Sequence, residues 1–309
     1  MKIDAVFEGG GVKGIALVGA VCCLENRGYK FENLAGTSAG AIVAALLAAG
    51  YTGEELKDII LQVNYTKFLE KSILDKFKIT SYFDKIIGLL KDKGIYSGDP
   101  IEGYMEELLK KKGKVKFRDV SRNGKSYLKI IASDITRGDM IILPDDLIFY
   151  GIDPLDFSIA KAVRMSIGIP LFFKPVKLKH KTGISLIVDG GILSNYPIWI
   201  FDGQGEPKWP TLGLKLIEDN QSLTAKGKTD LISFIIDIVS AMLNKNEEIY
   251  VKHKDWVRTI GIPTLGVKGT EFDKISTMGI KLFESGYKSA EKFLKDWSFT
   301  KYKRLFTPH

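Results

Sequence analysis

Ser38 stands at the centre of Gly36-Thr37-Ser38-Ala39-Gly40. Glycines two before and two after a serine suit a sharp strand-turn-helix bend that lifts the hydroxyl out of the end of a sheet. A serine held that way attacks acyl carbonyls once a neighbouring base takes its proton. The plain alternative is a helix-capping serine in a glycine-rich turn. A second cluster, Gly9-Gly10-Gly11-Val12-Lys13-Gly14, gathers backbone N–H groups at the mouth of a helix. Such a cluster stabilises an anion, either a phosphate or the oxyanion of a tetrahedral intermediate. Lys13 either adds positive charge to that loop or pairs with a carboxylate to hold it.

The base is the next question. His180 lies in the basic run Lys177 to Lys181 before a strand, His253 stands between Lys252 and Lys254, and His309 is the last residue, so each reads as a surface residue. Asp189 is the better candidate. It ends the apolar run Ile184 to Val188 and is followed by Gly190 and Gly191, which leave its side chain free to meet a partner. A carboxylate with an ordinary pKa of about 3.9 is a poor base in water, so the site must exclude water or otherwise raise its basicity. Taken alone, Asp189 also reads as a turn-forming aspartate.

The glycine loop carries a rival reading. Gly9, Gly11 and Gly14 match a dinucleotide-binding fingerprint, with Glu32 as the ribose-binding acid, and that points to an oxidoreductase. This reading leaves Ser38 and Asp189-Gly190-Gly191 without a purpose. A Walker-type phosphate loop fits worse, because Lys13 is followed by Gly14 with no Ser or Thr there.

The elements that must position these residues alternate. Ile3 to Phe7 reads as a strand, Gly14 to Arg27 as an apolar helix ended by Gly28, Phe31 to Ala35 as a second strand, and Ala41 to Ala49 as a helix ended by Gly50. That order predicts an α/β sheet with parallel strands. Thr52 to Lys112 reads as helical and lysine-rich, with breaks at 78–81 and 94–100 and a helix restarting at Ser97-Gly98-Asp99-Pro100. Tyr127 to Ser133 and Met140 to Phe149 read as strands around a turn, Ile159 to Ser166 as a short helix, and Ile184 to Val188 as the strand that delivers Asp189. Strands at Leu212 to Ile217 and Val257 to Ile262, with helices at Asp230 to Asn244 and Ser276 to Trp297, follow without a linker or repeat. One domain over residues 1–309 is expected.

Taken together, in this order, Gly-Gly-Gly-Val-Lys-Gly at 9–14, Gly-Thr-Ser-Ala-Gly at 36–40 and Asp-Gly-Gly at 189–191 resemble the patatin-like phospholipases. Ala162-Val163-Arg164-Met165-Ser166 through Phe173 is similar to that family's segment before its aspartate, and 270–294 to its closing helix. The resemblance implies a three-layer α/β/α sandwich with a mainly parallel central sheet and a Ser38–Asp189 dyad. It implies an oxyanion hole from the loop at Gly9, Gly10 and Gly11, to which the amide of Ala39 would add. Lys13, Gly14, Gly36, Gly40, Gly190 and Gly191 would support these parts, with no cofactor and no metal. The implied activity is hydrolysis of fatty-acyl esters of lipids, of phospholipase A or lysophospholipase type, through an acyl-enzyme. A patatin-fold binding protein without turnover is the remaining alternative.

Composition bounds the partners. The chain is 45% hydrophobic and 27% charged, which is ordinary for a globular protein. Its net charge of +8 favours anionic partners. The lysines are dispersed and form no basic groove interleaved with aromatics, so no nucleic-acid partner is expected; a phospholipid or other acyl-lipid substrate and peripheral contact with an anionic membrane are. The most apolar stretch, Ala39 to Gly50, falls well short of the roughly 20 residues that span a bilayer, so no transmembrane segment is expected. Cys22 and Cys23 read as adjacent core residues, and the start of the chain lacks the form of a Sec-type signal. A cytoplasmic location, with peripheral membrane association, is expected.

Overall fold

Ile3, Ala5 and Phe7 on one face of β1 (Lys2–Phe7) and Val6 on the other are all buried, as in a strand covered on both sides. The computed structural model describes residues 1–63, 93–218, 238–239, 241–242, 253–269 and 271–307. The sequence-predicted break at 78–81 lies outside these residues, as does most of the helix predicted at Asp230 to Asn244.

α1 (Gly14–Asn26) follows β1, and β2 (Lys30–Thr37) leads through the serine turn into α2 (Ala39–Ala48). Both helices are apolar almost all round, which marks helices sunk in a core. α3 (Gly53–Gln62) starts with a reciprocal cap: Thr52 Oγ1 accepts from the Glu55 amide, and Glu55 Oε2 accepts from the Thr52 amide. The chain continues through β3 (Gly94–Tyr96), α4 (Asp99–Lys111), the small strands β4 (Ser121–Arg122) and β5 (Lys125–Ser126), β6 (Leu128–Asp134) and β7 (Asp139–Leu143). Then come α5 (Ile159–Ser166), capped by the Ser158 hydroxyl, β8 (Leu171–Phe173), β9 (Val176–His180) and β10 (Gly183–Asp189). β11 (Thr211–Ile217), β12 (Thr259–Pro263), α6 (Ile275–Asp296) and α7 (Phe299–Phe306) close it.

Eight strands form the main sheet in the order β12-β11-β1-β2-β6-β10-β9, with β7 also on β6. The four pairings from β12 to β6 are parallel, whereas β7, β9 and β10 are antiparallel to their neighbours. One face is packed by α1, α2, α5 and α6 in a continuous apolar core. On the other face Tyr196 and Ile198 cover Val6 and Ala35, and the buried Arg258 pairs with buried Asp255 and with Asp202 at the surface. The arrangement is the three-layer α/β/α fold that the resemblance implies.

Two sequence expectations need correction. The strand predicted over Met140 to Phe149 stops at Leu143, because Pro144 interrupts the ladder and Asp145–Tyr150 winds into a 3₁₀ turn. The basic run at Lys177 to Lys181 is not merely a prelude to a strand, since most of it is itself the edge strand β9.

The pairing around β6 positions the chemistry. Ile130 and Ile131 pair with both β2 and β7, while Ala132 to Asp134 pair with both β7 and β10. A strand has only two edges, so β2 and β10 share one edge of β6, running toward each other. β2 ends with Thr37 opposite Ile131, and β10 ends with Asp189 opposite Ala132. Their last residues therefore meet end to end.

Candidate active site

The serine turn is tight at the level of the backbone. Ser38 has φ +52° and ψ −122°, a conformation L residues adopt only where the surroundings enforce it. A Cβ on Gly36 would stand 2.2 Å from the Gly40 carbonyl oxygen, and one on Gly40 would stand 2.3 Å from that of Phe7. Both glycines are thus required by close backbone crossing. The Ser38 amide donates to Ser166 Oγ at 2.9 Å, and the Ser166 hydroxyl in turn donates to the Ile131 carbonyl. α5 therefore holds the strained turn from beneath.

Ser38 Oγ donates to Asp189 Oδ2 at 2.7 Å. The other carboxylate oxygen accepts the Gly191 amide at 2.8 Å, and the Asp189 amide donates to the Gly168 carbonyl at 3.0 Å. Gly190 lies where the two strands meet, with no room for a Cβ against the Ile131 carbonyl. Asp189 is only 1% exposed. Burial pushes its pKa up to about 7, although the Gly191 amide and the Ser38 hydroxyl both oppose the rise. A carboxylate titrating near neutrality is matched to taking a proton at neutral pH.

The glycine loop lies against this pair. A Cβ on Gly9 would fall 3.1 Å from Ser38 Cβ and 2.2 Å from Asn195 Oδ1. The Gly9 amide donates to the Asn195 carbonyl at 3.2 Å, and Asn195 Nδ2 donates back to the Gly9 carbonyl at 3.3 Å. Gly11 is left-handed, with φ +57°, and its Cα faces the Gly269 carbonyl, which also accepts the Val12 amide at 2.9 Å. Lys13 Nζ donates to Glu218 Oε1 at 2.6 Å, so of its two expected roles the structure shows the carboxylate pairing. Gly14 opens α1 within 3.2 Å, from its would-be Cβ, of Ala39 Cβ at the start of α2. The amino termini of α1 and α2 thus meet beside Ser38, the Lys13 and Gly14 amides at α1 turning back onto the Gly10 and Gly11 carbonyls.

The patatin-like phospholipase model matches residues 5–202, close to two thirds of the chain. The chain belongs to the patatin-like phospholipase family. It is 39% identical over 303 residues to the uncharacterised protein YqhO of Bacillus subtilis, covering 97% of this chain and 100% of that one. It is 26% identical over 198 residues to a probable lipid hydrolase of invertebrate iridescent virus 6, covering 62% of this chain and 61% of that one. Among solved structures, VipD from Legionella pneumophila superposes with a TM-score of 0.56 at 19% identity, over 95% of this chain and 66% of VipD. The type III effector protein ExoU superposes with a TM-score of 0.51 at 15% identity, over 95% of this chain and 53% of ExoU. These two likenesses concern the fold.

Within this patatin-like chain the rival readings lose their geometry. Glu32 lies near the start of β2 and is paired with Lys2 at 3.0 Å and Arg122 at 2.7 Å. That is the amino end of the parallel strands, about 16 Å along β1 from the glycine loop, whereas a ribose-binding acid belongs at the carboxyl end. His180 binds Thr182 and Ser185 through its two ring nitrogens, out on the β9–β10 turn. A cavity of about 470 Å³ also opens at the amino end, between Asp4, Trp209, Tyr302 and Phe306, away from Ser38. Its volume says less about chemistry than the convergence at Ser38. Among the described residues no group of three or more His, Cys, Asp or Glu is placed to hold a metal, and no helix is long and apolar enough to cross a membrane.

Three supports escaped the sequence: Ser166, Asn195 and the Glu8–Lys215 pair, in which Glu8 also accepts the Leu216 amide at 2.6 Å. Ser166 lies in a stretch that carries the family resemblance. Nothing local marks its hydroxyl as the acceptor for an amide 128 residues away.

Proposed function

We propose that this chain hydrolyses fatty-acyl esters of lipids, as a phospholipase A or lysophospholipase, with Ser38 as nucleophile and Asp189 as base. The observation that carries the reading is the 2.7 Å hydrogen bond from Ser38 Oγ to a buried carboxylate. In the proposed cycle Ser38 Oγ attacks the acyl carbonyl carbon while its proton passes to Asp189. The oxyanion is held by the amides of Gly10 and Gly11, joined by that of Ala39 at the first turn of α2. The Gly9 amide is committed to Asn195, so Gly9 serves by letting the carbonyl approach without a side chain in the way. Collapse expels the alcohol, which takes the proton from Asp189. Water then gives a proton to Asp189, attacks the acyl-enzyme, and releases the fatty acid as Ser38 regains its proton. Every step uses groups of the chain itself, so no cofactor enters.

Family membership supports a lipid substrate, and the net charge of +8 suits peripheral contact with anionic membranes. Two free, buried cysteines suit a cytoplasmic setting. We expect mass analysis of a mixed phospholipid and neutral-lipid panel to show fatty-acid release by the wild type and none by Ser38→Ala. A fluorophosphonate probe should label the first protein and not the second. Absence of both product and label from the wild type would leave a patatin-fold binding protein without turnover. Equal product from the variant would remove Ser38 from the mechanism.

A further inference from the structure

The β9–β10 hairpin leaves the body of the sheet at the end where Ser38 and Asp189 lie. β10 pairs with β6 only over Ile187–Asp189, and its earlier residues, laddered to β9 and tied to Ile135 and Thr136 through Leu186, extend beyond Asp134, the last residue of β6. The projection is braced. The His180 ring meets Thr182 Oγ1 at 2.9 Å and Ser185 Oγ at 3.2 Å, and it packs edge-on against Tyr150 at 5.5 Å.

The two faces of the hairpin differ. Leu178, Ser185 and Ile187 are buried on the inner one. On the outer one Lys177 stands opposite Leu186 and Lys179 opposite Ile184, with Lys181 in the turn. Ile184 is 50% exposed, and among the described residues none of these three lysines has an ion pair. Tyr150 also stacks beneath Arg137 at 5.1 Å. The two residues before Tyr150, Ile148 and Phe149, are the most exposed large apolar side chains among the described residues, at 65% and 73%.

We propose that this hairpin, with the adjoining turn at Ile148 and Phe149, is the surface by which the protein docks on an anionic lipid bilayer. The occupant is chosen by charge and pattern together. Unpaired lysines answer an anionic surface, and their long stems lie along apolar ground while the ammonium groups stay at the headgroups. Lysine on an edge strand also blocks unwanted strand pairing, but that purpose gives no reason for the bare Ile184 opposite Lys179 or for Ile148 and Phe149 exposed next to Tyr150. The site is near: from Ile184 to Asp189 is about 16 Å of strand. Docking there would bring a bilayer to the dyad's end of the sheet. Only this last consequence rests on the lipolytic reading.

The test uses the full chain carrying Ser38→Ala, so that vesicles stay intact. Co-sedimentation is measured with phosphatidylcholine vesicles, with and without phosphatidylserine. Three lysines near such a surface predict that Lys177→Glu, Lys179→Glu and Lys181→Glu together weaken partitioning to the phosphatidylserine vesicles by about 100-fold or more. Ile148→Ser with Phe149→Ser should weaken binding in high salt as well as low. A charge-matched control, Lys288→Glu, Lys292→Glu and Lys295→Glu on α6, should lose less than about 10-fold. Thermal unfolding checks that each variant folds, and the milder triple change to glutamine replaces the glutamate set if it does not. Binding by the hairpin variant equal to the parent, or an equal loss in the control, overturns the proposal. Hydrolysis of a dissolved short-chain ester by the protein with Ser38 restored is scored separately. Its failure with hairpin-dependent binding intact would remove the lipolytic reading and leave the docking surface standing.

Discussion

A carboxylate in water holds its proton too weakly to strip one from a serine, and Asp189 differs by being almost wholly out of water. Burial raises its pKa to about 7. Activity should therefore rise with pH through about 7 and then level, because only the ionised form can accept a proton; a kcat/KM profile on a dissolved ester checks this. The same shift has a stability cost of opposite sense. The folded state holds this proton more tightly than the unfolded chain, so the group's contribution is fully present below about pH 4 and is lost as pH rises through about 7. Asp189→Asn should accordingly lower kcat by about 10²- to 10⁴-fold, yet raise Tm at pH 8 and leave it nearly unchanged at pH 4, as calorimetry would show. Ser166→Ala acts at the same scale by a different route. It strips the Ser38 amide of its acceptor inside a strained turn, and should cost about 1–3 kcal/mol in denaturant unfolding while lowering kcat more than it raises KM.

Between elements, α6 packs closely on α1. A Cβ on Gly19 would stand 1.9 Å from the Phe283 carbonyl oxygen, and one on Gly286 would stand 1.8 Å from that of Ala16. Gly286→Ala should thus push the helices apart and destabilise by about 1–3 kcal/mol. Gly103→Ala in α4, where a Cβ meets nothing within 4 Å, should stabilise by up to about 1 kcal/mol, and urea titration of both variants reads the contrast. Gly286 of α6 stands in plain view in the sequence, but its reason lies in Ala16, 270 positions away (286 − 16). Elements specified by local pattern were legible: α5 spans the predicted Ile159 to Ser166, and α2 follows the serine turn as expected. The parallel direction of the first strands was legible too, but the strand order and the antiparallel run of β10 were not. That β10 runs against β6, or that Lys177–His180 is an edge strand, is decided by ladder bonds between distant segments, which leave no periodicity to read. Ser38, Asp189 and the glycine loop were visible because the proposed chemistry demands particular residue types at that spacing, whereas Ser166 and Asn195 bond through groups any serine or asparagine carries.

At the scale of the whole molecule, the family match ends at residue 202, but the site does not. β11 supplies the ladder on the outer side of β1, and Lys215 and the Leu216 amide hold Glu8 just before the glycine loop. Glu218 pairs Lys13, and the Gly269 carbonyl holds Val12. α6 covers α1. A chain ended after Asp202 should therefore show no cooperative thermal transition, because β1 and α1 would expose apolar faces and the loop would lose its anchors; differential scanning calorimetry of the truncated protein checks this.

The shared edge of β6 sets how the protein tolerates changes of length. Because β2 and β10 abut along one ladder, the gap between Ser38 and Asp189, the proposed nucleophile and base, is counted in residues and cannot be adjusted smoothly. One residue inserted between Ile187 and Asp189 would turn the carboxylate to the opposite side of the sheet. The same insertion in the Lys181–Thr182 turn would leave the pairing of Ile187 to Asp189 with β6 untouched. Drift in length among relatives should accumulate at the tip of that hairpin and be purged from the few residues before the aspartate.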